Sequence, residues 1–415
     1  MSGGFVGRMF ALAVGAMSLI ISPAPILAAD LGGDCCADLE ERIAELEATT
    51  ARKGNRKVSL TVSGWVNEAV FFWDDGTERN AYVGTNELEQ SRFRVSGDAK
   101  ITADWSAGYV LEIGANGAGS KSFDQDNAGD SKMAVRKSAW YVKSKQLGRL
   151  AMGRFDTATY HLIDNLDDLL TRNVSDYEAA GVALGNFRTR SNGVLGAKWT
   201  DFMGGFNNGT PGQDGLRNTV RYDTPTFAGF TASAAWGEDD QWDTALRYSG
   251  EFGDFSLDAS VGYGESTDPG VNGGPCTMGN GDCQWWGTGA LLRHKPSGVF
   301  LFGGYGVNLI DLKPGQVAND KSDTWYLQGG IERKWFELGK TNVFVEYRHD
   351  DVGLSKAADS SNLDFWAAGV AQEIENASMV MYALYRHSDG DATTGAVTTN
   401  FDAFDMVITG AKINF

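Results

Sequence analysis

The last residues of the chain alternate. Val407, Thr409, Ala411, Ile413 and Phe415 fall on one side of an extended strand, with Gly410, Lys412 and Asn414 on the other. Period-2 alternation marks a strand with one greasy and one wet face. Taken alone it fits a half-buried strand of a soluble β-protein as well as a lipid-facing strand of a transmembrane barrel. Met406 and Ile408 break the pattern by pointing to the wet side. From Gln90 to Ala103 the alternation is clearest: Phe93, Val95, Ala99, Ile101 and Ala103 stand opposite Arg92, Arg94, Ser96, Asp98, Lys100 and Thr102. Comparable segments cover 58–73, 105–117, 132–145, 148–156, 215–224, 226–237, 241–252, 254–265, 283–294, 298–310, 322–336, 341–350, 361–374, 377–388 and 402–415, which with 90–103 makes about sixteen. The phase of 132–145 is ambiguous. Chain length agrees with that number, because 358 residues from Val58 to Phe415 (415 − 57), at about 22 per strand and connection, make about sixteen strands.

The connections alternate in length, as in a barrel inserted from one side. Leu147-Gly148, Glu251-Phe252-Gly253-Asp254 and Leu338-Gly339-Lys340 are tight turns, while 74–89, 266–282 and 311–321 are long loops on the opposite rim. The longest connection, 157–214, holds no convincing alternating run, and a connection of that length is usually functional. It carries Asp164, Asp167, Asp168, Asp176 and Glu178, with Tyr160, Tyr177 and Phe187 among them.

The N-terminus decides the compartment. Arg8 precedes an apolar run, Met9 to Ile21, interrupted by Gly15 and Ser18, and the small residues Ala28 and Ala29 follow Pro23 and Pro25. A charged start, a short apolar core and small residues at a cleavage point read as a secretory signal over 1–28. The core is shorter than the about 20 residues of a spanning helix, and no later stretch approaches that length. Cysteine usage fits export: Cys276 and Cys283 flank a Gly-rich turn and can close a loop disulfide in an oxidising envelope, metal binding being the poorer alternative without a nearby histidine. Cys35 and Cys36 are adjacent and bridge each other only with strain. They pair between chains or stay reduced. Cys36, Leu39, Ile43 and Leu46 form an apolar seam within 29–57, read either as a periplasmic helical collar joining several chains or as a frayed amphipathic helix on its own barrel. Arg52, Lys53, Arg56 and Lys57 follow it, before the first strand.

Composition adds that 53 glycines, 8 prolines, 11% aromatics and a mean hydropathy below zero suit a barrel in which only alternate residues meet lipid. The net charge of −18 argues against nucleic acid as a partner.

Ala29-Asp30-Leu31-Gly32-Gly33-Asp34-Cys35-Cys36-Ala37-Asp38-Leu39-Glu40-Glu41 after the signal, the first strand from Arg56-Lys57-Val58 to Val66, Gly153-Arg154, Asn218-Thr219-Val220-Arg221-Tyr222-Asp223 and the Ile413-Asn414-Phe415 ending together resemble the alphaproteobacterial general porins. The resemblance covers essentially the whole mature chain. It implies an all-β fold, a 16-stranded antiparallel transmembrane β-barrel over 58–415, normally a homotrimer in the Gram-negative outer membrane among lipid and lipopolysaccharide. It also implies an inward-folded third external loop that makes a constriction, here 157–214. That loop is longer than the family pattern, and its Val194 to Phe206 part is expected to add a hairpin or helix that reshapes the mouth. A terminal Phe415 suits recognition by the barrel-assembly machinery.

The function implied is passive diffusion of small hydrophilic solutes through a water-filled channel, with a substrate-selective channel for one sugar or acid as the alternative. An acidic loop facing a basic wall would set a transverse field across such a bore. The loop acids are Asp164, Asp167, Asp168, Asp176 and Glu178; Arg92, Arg94, Arg217, Arg221, Arg247 and Arg348 are the wall candidates, since each stands among alternating apolar neighbours. Charge toward water is tolerated, whereas toward mid-membrane lipid it costs about 2–4 kcal/mol. The competing reading makes these arginines partners of neighbouring wall acids, and the loop acids a solvated outer surface. The acidic loop suggests a preference for cations. His161, His294, His349 and His387 are scattered without zinc-site spacing, so no enzyme, metal or cofactor is expected. A free Ala29-Asp30 terminus ahead of a helix also offers a tether to peptidoglycan.

Overall fold

The computed structural model describes residues 58–166, 168–205, 209–237, 240–267 and 279–415. The leader, the helical seam of 29–57, Cys35, Cys36, Cys276 and Asp167 lie outside the described residues. Twenty strands follow in chain order: β1 (Thr61–Asp74), β2 (Arg79–Thr85), β3 (Arg92–Lys100), β4 (Trp105–Asn116), β5 (Lys132–Ser144), β6 (Gly148–Asp156), β7 (Arg188–Ser191), β8 (Val194–Lys198), β9 (Leu216–Asp223), β10 (Phe230–Gly237), β11 (Gln241–Phe252), β12 (Phe255–Ser266), β13 (Cys283–His294), β14 (Val299–Ile310), β15 (Lys321–Phe336), β16 (Gly339–Val352), β17 (Ser360–Ile374), β18 (Met379–Thr394), β19 (Val397–Asn400) and β20 (Phe404–Asn414). Sixteen of them pair antiparallel into a closed barrel. β2 and β19 are hairpin returns on its rim, and β7 and β8 form a separate two-stranded sheet. Closure is made by β20 on β1, with Trp65 opposite Asn414 and Asp74 opposite Asp405. Beyond the last pair, Gly64 and Phe415 exchange two backbone hydrogen bonds of 3.0 Å. A closed barrel leaves no unpaired edge, the condition for crossing a bilayer with strands.

Along each strand the exposed residues are the ones alternation assigns to the outside. On β15 and β16, for example, Trp325, Leu327, Val343 and Val345 are exposed while Thr324, Tyr326, Phe344 and Glu346 are buried. The exposed face carries cross-strand aromatic pairs in two bands, Trp242–Tyr263, Trp286–Tyr305, Trp325–Tyr347 and Trp366–Tyr385 in one, Phe230–Tyr248 and Phe252–Phe255 in the other. Aromatic bands of this kind sit at the two membrane–water interfaces.

The buried face has a different partner. Phe71, Trp73, Phe302, Phe344, Phe365, Phe404, Met406 and Ile408 project inward and pack with Ile163, Val174, Tyr177, Leu184, Phe187, Trp199 and Phe202 of the 157–214 loop in one cluster. Met406 and Ile408, the residues that break the terminal alternation, therefore face a hydrophobic core. They are 2% exposed. The loop itself carries short helices, α1 (Ala179–Leu184) and α2 (Trp199–Phe202), and the β7–β8 hairpin. The extra hairpin expected at Val194–Phe206 begins earlier, at Arg188. Trp199 stacks edge-on against Phe365, Phe401 and Phe404, and the buried Arg190 donates to Asp75 and Glu78, 2.9 Å each. The hairpin thus seals the side of the mouth bounded by β1, β17 and β20.

Phe404→Ala is expected to cost about 3–5 kcal/mol by emptying this cluster. The folded band should shift at a distinctly lower temperature on a heat-modifiability gel, whereas Phe252→Ala on the exposed face should move it little.

Candidate functional site

A loop folded into a barrel brings its backbone N–H and C=O groups away from bulk water, and each must find a partner. Inward side chains of the wall supply them. The Asp243 carboxylate accepts from the Ala158 and Thr159 amides at 3.0 and 2.6 Å. Ser260 donates to the Leu162 carbonyl at 2.6 Å, and Ser361 to that of Phe202 at 2.6 Å. Arg386 donates to the Ala179 carbonyl at 2.8 Å and to Ser175 Oγ at 2.6 Å, while paired with Glu346 at 2.8 Å. Gly304 and Gly306 on β14 leave the space for this, since a Cβ at either would collide with the loop at Ile163 or Pro211.

Three of the six wall arginines expected to face the bore belong to this clamp. Arg221 donates to the Thr157 carbonyl and Arg247 to that of Ala158, both at 2.8 Å. Arg348 donates to the Tyr177 carbonyl at 2.8 Å and to the Gly209 carbonyl, pairs with Asp350 at 2.8 Å, and is 2% exposed. It is a loop anchor beneath the polypeptide rather than a surface facing water. The loop acids divide similarly. Asp164 is fully buried, accepting from Gln213 at 3.0 Å and lying 3.7 Å from Arg172; burial would raise its carboxyl, but His161 and Arg172 hold it down at about 2. Asp176 is buried, and burial together with the Asp164 and Glu178 carboxylates pushes its carboxyl well above the ordinary range. Asp168 pairs with Arg293 on β13. Asp168 is nevertheless exposed, and of the expected acids among the described residues Glu178 alone lines the cavity between loop and wall.

That space is a cavity of about 600 Å³ between the loop and the wall of β3, β5, β6 and β9. Arg92, Arg94 and Arg217 line it as the strand phase predicts. Lys121, Lys132, Arg136, Lys137, Arg154 and Arg172 line it too, and sequence reasoning missed them. Nine cationic side chains therefore face Glu87, Glu89, Asp156 and Glu178, with His161 and Tyr160 on the loop side. Beneath the basic wall lies one carboxylate. Glu112 is fully buried and pairs with Arg92 at 3.3 Å, Arg136 at 3.0 Å and Arg94. Trp65 is flanked by the Arg92 guanidinium and the Lys412 ammonium, each 4.5 Å from its ring centre. Glu89 bonds Arg172 at 3.2 Å; burial favours its neutral form, but Lys412, Arg172 and Arg92 outweigh that and keep it ionised, with a pKa of about 2.

A β-bulge explains the ambiguous phase of 132–145. Glu112 pairs with Lys137 and Ile113 with Val135, so Arg136 is an extra residue. A bulge places two residues against one on the partner strand. Arg136 reaches Glu112, Gln90 at 2.8 Å and the Tyr160 hydroxyl at 3.2 Å, and Lys137 reaches Asp156 at 2.7 Å. Two consecutive cations thus enter one lumen, which strict alternation forbids. The cue in the sequence was the Arg-Lys pair at the point where the phase slips. Of the three aromatics among the loop acids, Tyr177 and Phe187 are fully buried in the core and Tyr160 lines the cavity.

Fold and cavity together define a transmembrane channel walled by sixteen strands and narrowed from within by its own loop. The model of the Gram-negative porin family matches residues 15–393, and the chain belongs to that family. Among solved structures it is similar to the anion-selective porin from Comamonas acidovorans, at 18% identity and a TM-score of 0.57, covering 86% of this chain and 100% of that one. The trimer form of OmpT from Vibrio cholerae gives 16% identity and a TM-score of 0.52, covering 86% and 99%. OmpF of Salmonella typhi in complex with daunomycin gives 14% identity and a TM-score of 0.53, covering 86% and 98%. No curated protein matches the sequence at a significant level. The protein is an outer-membrane channel for passive diffusion, not an enzyme.

Arg386→Ala removes a buried ion-pair partner, a change worth about 3–5 kcal/mol, and unties Ala179 and Ser175 from the wall. Planar-bilayer recordings should show larger open-channel noise and a raised mean conductance. Traces identical to the wild type would mean that the loop is held by its apolar packing alone.

Proposed function

We propose that this porin favours small hydrophilic anions over cations, the reverse of the sign its loop acids suggest. The observation that carries the reading is the lining itself, nine cationic side chains against four carboxylates. Fixed charge around a water-filled bore raises the local concentration of the opposite ion. Glu178, Arg92, Arg94 and Arg217 act as constriction residues in this reading, Arg136 joins them, and Arg221, Arg247 and Arg348 hold the loop in place. In a KCl gradient across a planar bilayer, chloride is expected to carry most of the current. Arg136→Glu should move the chloride-to-potassium permeability ratio several-fold toward potassium. A reversal potential of the potassium sign in the wild type would sink the proposal.

The working assembly in this reading is a homotrimer of the alphaproteobacterial general porin type. The trimeric form among its structural neighbours supports it, as does the distribution of outward aromatic pairs, which among the described residues all lie on β10–β18. The faces of β20, β1, β3, β4 and β5 are thereby left for subunit contact. The mass of the detergent-purified particle is expected to equal three chains, and a stable single chain would count against it. Residues 1–28 act as the cleaved leader and 29–57 as a periplasmic helical segment with a tether to peptidoglycan as its further role. Phe415, 62% exposed at the barrel end, serves the assembly machinery. A Cys276–Cys283 bridge pins the loop before β13; in its support, Cys283 stands as a disulfide-bonded cysteine.

A further inference from the structure

Scattered along the sequence, the four histidines show no metal-site spacing, but folding of the loop gives one of them two carboxylate neighbours. His161 Nδ1, Asp164 and Glu178 bring one ligand atom each to within 4.8 Å of one another, and Nδ1 lies 3.8 Å from Glu178 Oε1. We propose that these three side chains form an exchangeable site for a divalent transition-metal ion, with zinc the best match, on the loop side of the constriction.

Four observations support it. First, His161 Nδ1 and Asp164 Oδ2 already meet as a close pair beside the cavity. Asp164 is fully buried. A dication would enter by displacing the proton between these two atoms, which then spread slightly to become its nitrogen and oxygen ligands. Second, the outer partner is in place: Gln213 Nε2 donates to Asp164 Oδ1 at 3.0 Å and to Glu178 Oε1 at 2.9 Å. One amide thus orients both carboxylates, with Asp164 Oδ2 turned toward His161. Hydrogen bonds of this kind fix ligand geometry in protein metal sites. Third, His161 and Glu178 line the cavity, so an ion has a path in and water can fill its remaining positions. Fourth, one imidazole nitrogen with two carboxylate oxygens is a donor set that zinc accepts. Magnesium and calcium seek six or more oxygen ligands and gain little from the imidazole.

The same surroundings set the limit on affinity. Arg172 lies 3.7 Å from Asp164 Oδ2 and repels a dication. That cost makes the site weak and exchangeable, suited to modulating the channel rather than to holding the loop together. A bound dication would also narrow the passage between the loop and the basic wall.

The test uses the full-length protein purified in detergent. Cobalt titration should give a saturable visible absorption band that zinc displaces, and zinc added to channels in planar bilayers should lower conductance reversibly, with recovery on adding EDTA. His161→Gln should abolish the band and the block; Glu178→Gln should weaken both, and it replaces the first variant if that one fails to fold. His349→Gln, on the outer face, should leave both unchanged. Magnesium at the same concentration should do nothing. Absence of a saturable band in the wild type, or a zinc block that persists in both loop variants, would overturn the proposal. Cobalt absorption does not depend on which ion the channel prefers, so the site and the anion preference can fail separately.

Discussion

A sixteen-stranded barrel is too wide for its own inward side chains to fill, and the resulting constraint organises this molecule: something must cover the apolar part of the inner wall. Here the 157–214 loop does so, acting as the hydrophobic core of a barrel that otherwise has none. Its apolar residues meet Phe302, Phe344, Phe365, Phe404 and Met406 from the wall. Because a loop so placed has its backbone cut off from bulk water, the wall must also present polar groups at matching heights. Asp243, Ser260, Arg247, Arg348, Ser361 and Arg386 are those groups. Inward positions therefore divide into two sectors, one apolar with polar pins and one wet and charged.

That division explains how legible the sequence was. The sixteen wall strands could be read from alternation, with most ends agreeing to within a few residues and β18 running on to Thr394, six past its expected end, because the outward face is largely apolar and the period is 2. The alternation failed where the inward face was not uniform. Met406 and Ile408 look misplaced when the lumen is taken to be water throughout, yet they are ordinary core residues once the loop lies against them. Period alone cannot distinguish an inward residue facing water from one facing a folded-in segment fifty residues long or more.

The site was less legible than the fold, for a related reason. Strand phase located the inward arginines, but whether each touches water or a loop carbonyl depends on where the loop packs. Arg92 and Arg348 have the same local pattern and opposite environments. The bulge at Arg136 hid further cations, since an inserted residue erases the period on which the phase depends.

The sign of the fixed charge in the bore follows from burial, and the formal acidity of the loop misleads on that point. An exposed loop with five acids in fifteen residues would be a negative surface. Within the barrel, Asp164 is held ionised beside His161 and Arg172, Asp176 is driven toward its neutral form by burial and adjacent carboxylates, and the more exposed Asp168 is paired with Arg293. Burying an uncompensated carboxylate costs too much to persist, so each buried acid acquires a partner or a proton. The basic wall is held differently: Arg92, Arg94 and Arg136 share the single Glu112 carboxylate, and guanidinium groups do not shed their charge. Three positive charges against one negative leave a net positive surface toward water. Packing the loop inside the barrel thus removes negative charge from the bore while leaving the positive charge in place, and an acidic chain acquires a basic channel.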